Sequence, residues 1–202
     1  MKKKIILASK SIDRCEILKR AKIPFDTMVA NINENEFKEK ISNPIQLVKE
    51  LAKAKVLYVK KKVLKKNFDA IIIGADTIVE FNGEIIGKAN NEDQAFHILQ
   101  RLQNKPHILL TGLAITETFF QKVIVDYECT VVYFAHLSDQ EIWAYIKSGE
   151  WKGRAGAYSI RDKASLIVKS IEGSFSNVVG LPLFKIHEIL KKEFNFNLFE
   201  IN

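Results

Sequence analysis

Cysteine is nearly missing from this chain, with only Cys15 and Cys129 among 202 residues. Two thiols cannot build a disulfide framework or a four-cysteine zinc site, so the fold must stand on an apolar core. Cys129 lies in a strand-like run and Cys15 beside Ile17-Leu18, which reads as a pair of reduced structural thiols. Four prolines and nine glycines exclude a fibrous or linker-like chain. No apolar run approaches the roughly 20 residues of a membrane span. The basic start Met1–Lys4 is followed by only Ile5-Ile6-Leu7-Ala8, too short for the apolar region of a signal peptide. A soluble cytoplasmic protein with no membrane partner is the expectation. Arginine is scarce too. Only five of the 31 basic residues are arginine, although the net charge is +7 and the pI about 9.3. A nucleic-acid surface draws on arginine for bidentate contacts and on aromatics for stacking. Lys60-Lys61-Lys62 and Lys65-Lys66 therefore read as a solvated helix end, and no stable nucleic-acid partner is expected. A basic RNA-binding module would show steep salt dependence and no nucleotide hydrolysis.

What the chain does have is 47% hydrophobic residues, enough at this length to bury a sizeable core. Strand and helix patterns alternate. Ile5–Ala8 reads as a short buried strand, Ser11–Ala21 as a helix, and Phe25–Ala30 as extended. Asn43-Pro44 is a cap followed by proline at the first helical position. Behind it Leu47, Leu51, Ala54 and Tyr58 form one apolar stripe, with Lys55 near its edge. Ala70–Phe81 is the strongest strand pattern, and Asn82-Gly83 predicts a type I′ hairpin returning through Glu84–Ile86. Asn91–Leu102 reads as a helix. His107–Phe119 and Lys122–Phe134 read as long paired strands, and Ser138 with Glu141 as a capping box. An extended piece at Leu166–Lys169, a helix over Leu183–Lys192 and a last short strand complete the reading. The fold class is mixed α/β, with a sheet that cannot be all parallel, in a single domain over 1–202.

Four places carry chemistry. At Ser9-Lys10-Ser11-Ile12-Asp13-Arg14, a helix N-terminus with two hydroxyls and an arginine suits phosphate. At Gly74-Ala75-Asp76-Thr77, a carboxylate directly after a buried strand is costly unless paired, hydrated or metal-bound. Asn33-Glu34-Asn35-Glu36 reads as a polar loop whose oxygens suit Mg²⁺ shared with substrate phosphates. The glycine-punctuated stretches Gly153–Tyr158, Gly173–Asn177 and Gly180-Leu181-Pro182 make tight loops where a backbone can meet a ligand. His107, starting a strand before Thr111-Gly112, reads as structural rather than catalytic.

Taken in order, these pieces resemble the Maf family of nucleotide pyrophosphatases over nearly the whole chain. Leu7-Ala8-Ser9-Lys10-Ser11 with Arg14, Glu16 and Leu18 is similar to the family's opening L-A-S-x-S-P-R-R-x-E-L-L. Asn33-Glu34 stands where the family has D-E, and Leu51–Lys55 is similar to L-A-x-x-K. Gly74–Val79 resembles G-A-D-T-V-V, and Gly87-Lys88 resembles G-K-P. Leu102, His107 and Thr111-Gly112 follow L-S-G-x-x-H-x-V-x-T-G. Ala155–Tyr158, Gly173–Asn177 and Gly180–Leu183 close the match. The resemblance implies an ITPase-like/Maf-like fold, a mixed twisted sheet flanked by helices, in two lobes around a cleft. It implies hydrolysis of a nucleoside triphosphate to the monophosphate and pyrophosphate with a divalent cation, Mg²⁺ or Mn²⁺, and a homodimer. Asp76 would be the proton acceptor, and Ser9, Ser11, Arg14, Lys55 and Lys88 would hold the phosphates. Glu34, with Asp76, would hold the metal. A nucleotide-binding regulator of division or septum formation that has lost turnover is the alternative.

Asp76-Thr77 with Ala155–Tyr158 resembles the dTTP/UTP branch rather than the 7-methyl-GTP branch. Where that branch usually carries arginine and glutamine, this chain has Asp13 and Arg161. Ile12 replaces a proline, Lys22 a glycine, and Ala89 the proline after Gly87-Lys88. Asp13 adds negative charge beside the proposed phosphate site, and the resemblance places Arg161 as its counterpart in base recognition. A swapped acid–arginine pair would change the preferred base, because a carboxylate accepts from base N–H groups whereas arginine donates to base oxygens and N7.

Overall fold

The computed structural model describes residues 3–103 and 105–201. In chain order its first elements are β1 (Lys4–Leu7), α1 (Ile12–Arg20), β2 (Asp26–Thr27), α2 (Glu34–Lys40) and α3 (Pro44–Lys65). Then come β3 (Ala70–Phe81), β4 (Glu84–Ile86), α4 (Glu92–Leu102), β5 (His107–Glu117) and β6 (Ile124–Phe134). The last are α5 (Asp139–Ile146), β7 (Val168–Glu172), α6 (Phe175–Val178) and α7 (Leu183–Phe194), with 3₁₀ turns at Lys163–Leu166 and Leu198–Glu200. One seven-stranded sheet runs in the order β2-β1-β3-β5-β6-β7, and β4 pairs with β3. β1 is parallel to β2 and β3, whereas β4 on β3 and β7 on β6 are antiparallel. The sheet is mixed, as the sequence pattern requires.

The chain forms two compact units. The first holds residues 1–76, 111–128 and 180–202, the second 77–110 and 129–179. In the first, strand alternation sorts the core onto two faces. Ile5, Leu7, Ile71, Ile73, Leu113 and Ile115 point one way, toward Leu18 of α1 and Ile186, Ile189 and Leu190 of α7. Ile6, Ala8, Ala70, Ile72 and Ala114 point the other way, toward Ala52, Val56, Val59 and Val63 of α3. Both faces are covered, which is why β1 and the start of β3 are uninterrupted apolar runs. The second unit packs Val79, Phe81, Leu99, Leu109, Val132, Phe134, Trp151 and Tyr158 into one cluster.

Two glycines set how closely α3 lies on the sheet. A Cβ on Gly112 would stand 2.1 Å from the Val48 carbonyl oxygen, and one on Gly74 would stand 2.9 Å from that of Ala52. The helix backbone therefore rides directly on the strands. Gly112→Ala should cost about 3 kcal/mol, because the atom it meets is backbone and cannot rotate away. A denaturant midpoint measures this, and an unshifted midpoint would show that α3 gives way easily.

Local signals fold as the sequence predicts. Asn43 caps α3 by accepting from Gln46 N at 2.9 Å, and Ser138 with Glu141 forms the capping box on α5. Asn82 and Gly83 have φ of 52° and 84°, the signature of a type I′ turn. Lys61, Lys62, Lys65 and Lys66 are exposed, as a solvated helix end requires, with Lys62 over the Tyr58 ring at 4.6 Å. Lys60 departs from that reading: it is half-buried and donates to Thr116 Oγ1 and to the Phe120 carbonyl.

Other expectations are corrected. The polar stretch at 33–36 is not a loop but the start of α2, with Asn33 at its cap, Glu34 and Glu36 in the first turn and Lys38 and Lys40 in the last. Those charges complement the helix dipole, and Phe37 is the sole large apolar side chain to mark an inner face. The expected stripe on α3 holds in part: Leu47 and Leu51 are buried, but the rest of the buried face is Val48, Ala52, Lys55, Val56, Val59 and Val63, while Ala54 and Tyr58 are half-buried. In the extended run at 25–30 only Asp26–Thr27 joins the sheet. The piece expected at 166–169 is a strand over 168–172 preceded by a 3₁₀ turn, and 175–178 forms a short helix capped by Ser174. Among the described residues no last strand forms. Asn195 ends α7 in a left-handed conformation, and the Asn197 side chain accepts from Phe199 N at 3.1 Å, closing a 3₁₀ turn. Phe194, Phe196 and Leu198 still pack on the core, so the period of two is real but carries no ladder. Both cysteines are free thiols, as expected, but only Cys15 is half-buried; Cys129, read as structural, is exposed.

Candidate active site

In the first unit a buried lysine brings two distant carboxylates together. β3 ends its apolar run at Asp76, which is 8% exposed. From α3, Lys55 reaches it with Nζ 2.5 Å from Asp76 Oδ1. The same nitrogen lies 2.8 Å from Glu34 Oε1 on the first turn of α2. Lys55 is itself only 9% exposed, and a buried ammonium requires such partners. The sequence pattern places Lys55 only near the edge of the expected apolar stripe; in the structure it lies on the buried face of α3 itself.

The turn between β1 and α1 adds the hydroxyls and the guanidinium. Ser9 is buried, and its Oγ accepts from Ser11 N at 3.1 Å and from Arg14 Nη1 at 3.4 Å. Ser11 is the N-cap of α1 and accepts from Arg14 N at 3.4 Å. Each hydroxyl is the acceptor in these bonds and keeps its O–H to donate. Arg14 is anchored from two further directions: Nε donates to the Gly180 carbonyl at 2.7 Å and Nη1 to the Ala75 carbonyl at 2.9 Å. Those two carbonyl contacts lay beyond sequence reasoning, since backbone oxygens carry no residue signature. Burial lowers the Arg14 pKa, while Asp76, Glu34 and Asp13, in that order, push it back up. Asp13 lies in the first turn of α1. Three carboxylates thus act on the Arg14 guanidinium.

The remaining candidates belong to the second unit. Thr77 follows Asp76 in β3 and is half-buried. Lys88 is exposed, and its backbone forms an antiparallel bridge with Ala155. Arg161 is half-buried, one residue after Ile160 of the core. Gly156 N donates to the Gly87 carbonyl at 3.3 Å, so the two glycine-bearing segments meet each other.

His107 is structural in its surroundings, as the sequence predicts. It is fully buried, with Nε2 2.9 Å from the Tyr158 hydroxyl and its ring edge-on to Phe134. Burial lowers its pKa from 6.5 to about 4. The folded state therefore takes up this proton later than the unfolded chain does. Its contribution is complete above pH 6.5 and is lost as pH falls from there toward 4, on the order of 3 kcal/mol in total. Urea titrations across that window should show the loss in the wild type and a flatter profile in His107→Phe.

The chemistry of the donors fits a divalent cation. Glu34 and Asp76 already converge on one positive charge, and hard carboxylate oxygens are what Mg²⁺ and Mn²⁺ take. No group of three or more His, Cys, Asp or Glu side chains clusters among the described residues. The cation would thus share its coordination with a ligand's phosphates rather than sit in an all-protein cage.

Comparison with known proteins finds relatives along nearly the whole chain. The profile of the Maf-like protein family matches residues 4–193. The chain is 45% identical over 196 residues to a dTTP/UTP pyrophosphatase of Alkaliphilus oremlandii, covering 97% of this chain and 99% of that one. It is 42% identical over 190 residues to the dTTP/UTP pyrophosphatase of Caldicellulosiruptor saccharolyticus, covering 94% of each. A third, from Dictyoglomus thermophilum, is 42% identical over 192 residues, covering 95% of this chain and 97% of that one.

Proposed function

Because this chain belongs to the family of Maf-like proteins, we propose that it is a nucleoside triphosphate pyrophosphatase. It hydrolyses a dTTP/UTP-like or modified nucleotide to the monophosphate and pyrophosphate. The observation that carries this reading is the convergence of Lys55 on Asp76 and Glu34, beside a hydroxyl-bearing helix N-terminus.

Water attacks the α-phosphorus, the bond from that phosphorus to the bridging oxygen breaks, and pyrophosphate leaves with the electron pair. Asp76 accepts the proton of the attacking water. Ser9 and Ser11 donate their O–H groups to phosphate oxygens, and the amides of the first turn of α1 add their dipole. Lys55, Arg14 and Lys88 supply positive charge for the triphosphate. Glu34 and Asp76 would hold the divalent cation, Mg²⁺ or Mn²⁺, which would neutralise charge on the phosphate oxygens. Asp13, Thr77 and Arg161 set base preference, and the acid at 13 turns it from the usual choice of the branch. Among the described residues no helix is long and apolar enough to cross a membrane. A cytoplasmic homodimer acting on free nucleotides completes the proposal.

The test is pyrophosphate release from a panel of standard and modified nucleoside triphosphates with Mg²⁺ or Mn²⁺. Release from one or a few nucleotides is expected, and Asp13→Arg should change their ranking. Asp13 also favours a second reading, a nucleotide-binding regulator of cell division without turnover. Saturable nucleotide binding with no release across the panel would select it.

A further inference from the structure

We infer that His107 and Tyr158 are positioning residues for substrate binding, holding the turn against which Lys88 is set. This rests on the reading of Lys88 as a phosphate-binding residue. Lys88 is exposed and owes its place to its neighbours: its backbone bridges to Ala155, and Gly87 accepts from Gly156 N. The partner segment is a tight turn in which Ala157 N donates to the Arg154 carbonyl at 3.2 Å.

That turn is strained and crowded. Gly156 has φ of 68° and Ala157 of 59°, a left-handed conformation that alanine keeps only when its surroundings impose it. A Cβ at Gly156 would lie 2.9 Å from Val79 Cγ2 and 3.3 Å from the Tyr158 ring. Ala157 is fully buried. The residue that follows it, Tyr158, is the anchor. Its ring packs edge-on against Phe134 and His107, and its hydroxyl meets His107 Nε2 at 2.9 Å.

Phenylalanine would fill the same apolar space. The hydroxyl adds no packing, and burying it costs unless it is bonded. What the bond adds is direction. It fixes how far Tyr158 enters the core, and so where the strained turn and the Lys88 backbone stand.

The experiment is a double-mutant cycle on pyrophosphate release with Tyr158→Phe and Lys88→Ala. Tyr158→Phe should raise KM for the triphosphate about fivefold to tenfold with kcat within about twofold. In the Lys88→Ala background the same change should leave KM within about twofold. His107→Gln, whose amide reaches the place of Nε2, should restore much of the wild-type KM, while His107→Leu should behave like Tyr158→Phe. An unchanged KM in Tyr158→Phe, or effects that multiply independently of Lys88, would overturn the inference. A second readout does not depend on turnover. Trypsin cleavage of the full chain after Lys88 should accelerate in Tyr158→Phe relative to cleavage after Arg101, and equal acceleration at both sites would overturn it. If the wild type released no pyrophosphate from any nucleotide, the functional reading would fall, and the ratio of cleavage rates would still decide this one.

Discussion

Asp76→Asn is expected to lower kcat for pyrophosphate release by about a thousandfold, with KM for the triphosphate moving much less. The side chains have the same shape, and an amide oxygen can still accept from Lys55 Nζ, which lies 2.5 Å from Asp76 Oδ1. The amide cannot take a proton from water, an act that typically carries a factor of about 10² to 10⁴, and as a neutral ligand it also holds the proposed divalent cation less tightly. A thousandfold corresponds to about 4 kcal/mol of barrier. Steady-state kinetics beside a melting curve would check both halves. A variant that melts like the wild type and turns over within tenfold of it would remove Asp76 from the chemistry.

Lys55→Met should show the largest effect on stability and a loss of triphosphate binding. Methionine replaces the buried stem but not the charge, leaving Asp76 buried and facing Glu34 without the ammonium they share. Breaking a buried ion pair by removing one partner costs about 3 to 5 kcal/mol. Because a divalent cation can stand on the same oxygens, millimolar Mn²⁺ should return much of that stability to the variant and little to the wild type, which keeps its own cation. Denaturant titrations of both proteins, with and without Mn²⁺, give the answer. Equal stabilisation of the two would place the metal elsewhere.

The parts of the molecule legible in the sequence are those whose cause is local. Asn43 before Pro44, Asn82-Gly83 and Ser138 with Glu141 each satisfy backbone groups within a few residues, so the chemistry of the segment decides its shape. The apolar strands at Ile5 and Ile71 are legible because a sheet covered on both faces leaves no polar positions. α2 is not legible, because its stability comes from end charges and from packing on α3 rather than from an apolar stripe. The end of the chain misleads for the opposite reason. Phe194, Phe196 and Leu198 repeat with period two, yet the Asn195 and Asn197 conformations determine the backbone. In the candidate site, Asp76 could be named from residue type and setting, whereas Lys55 comes from the family resemblance. Their meeting with Glu34 depends on three segments converging, which periodicity does not report. Arg14 is legible as a charge, but its hold on the Ala75 and Gly180 carbonyls is not.

Gly74 and Gly112 leave α3 no clearance above the strands, with Ala52 and Val48 carbonyls where a Cβ would be. A helix seated backbone to backbone cannot slide or shift register without lifting off the sheet. On the proposed reading, in which Lys55 passes from the carboxylates to a phosphate when substrate arrives, that exchange is torsional, made by rotation about its own side-chain bonds. Whole-helix displacements take microseconds to milliseconds. By opposing them at this point, the two glycines keep a shift of α3 from being the slow part of that proposed handover of charge.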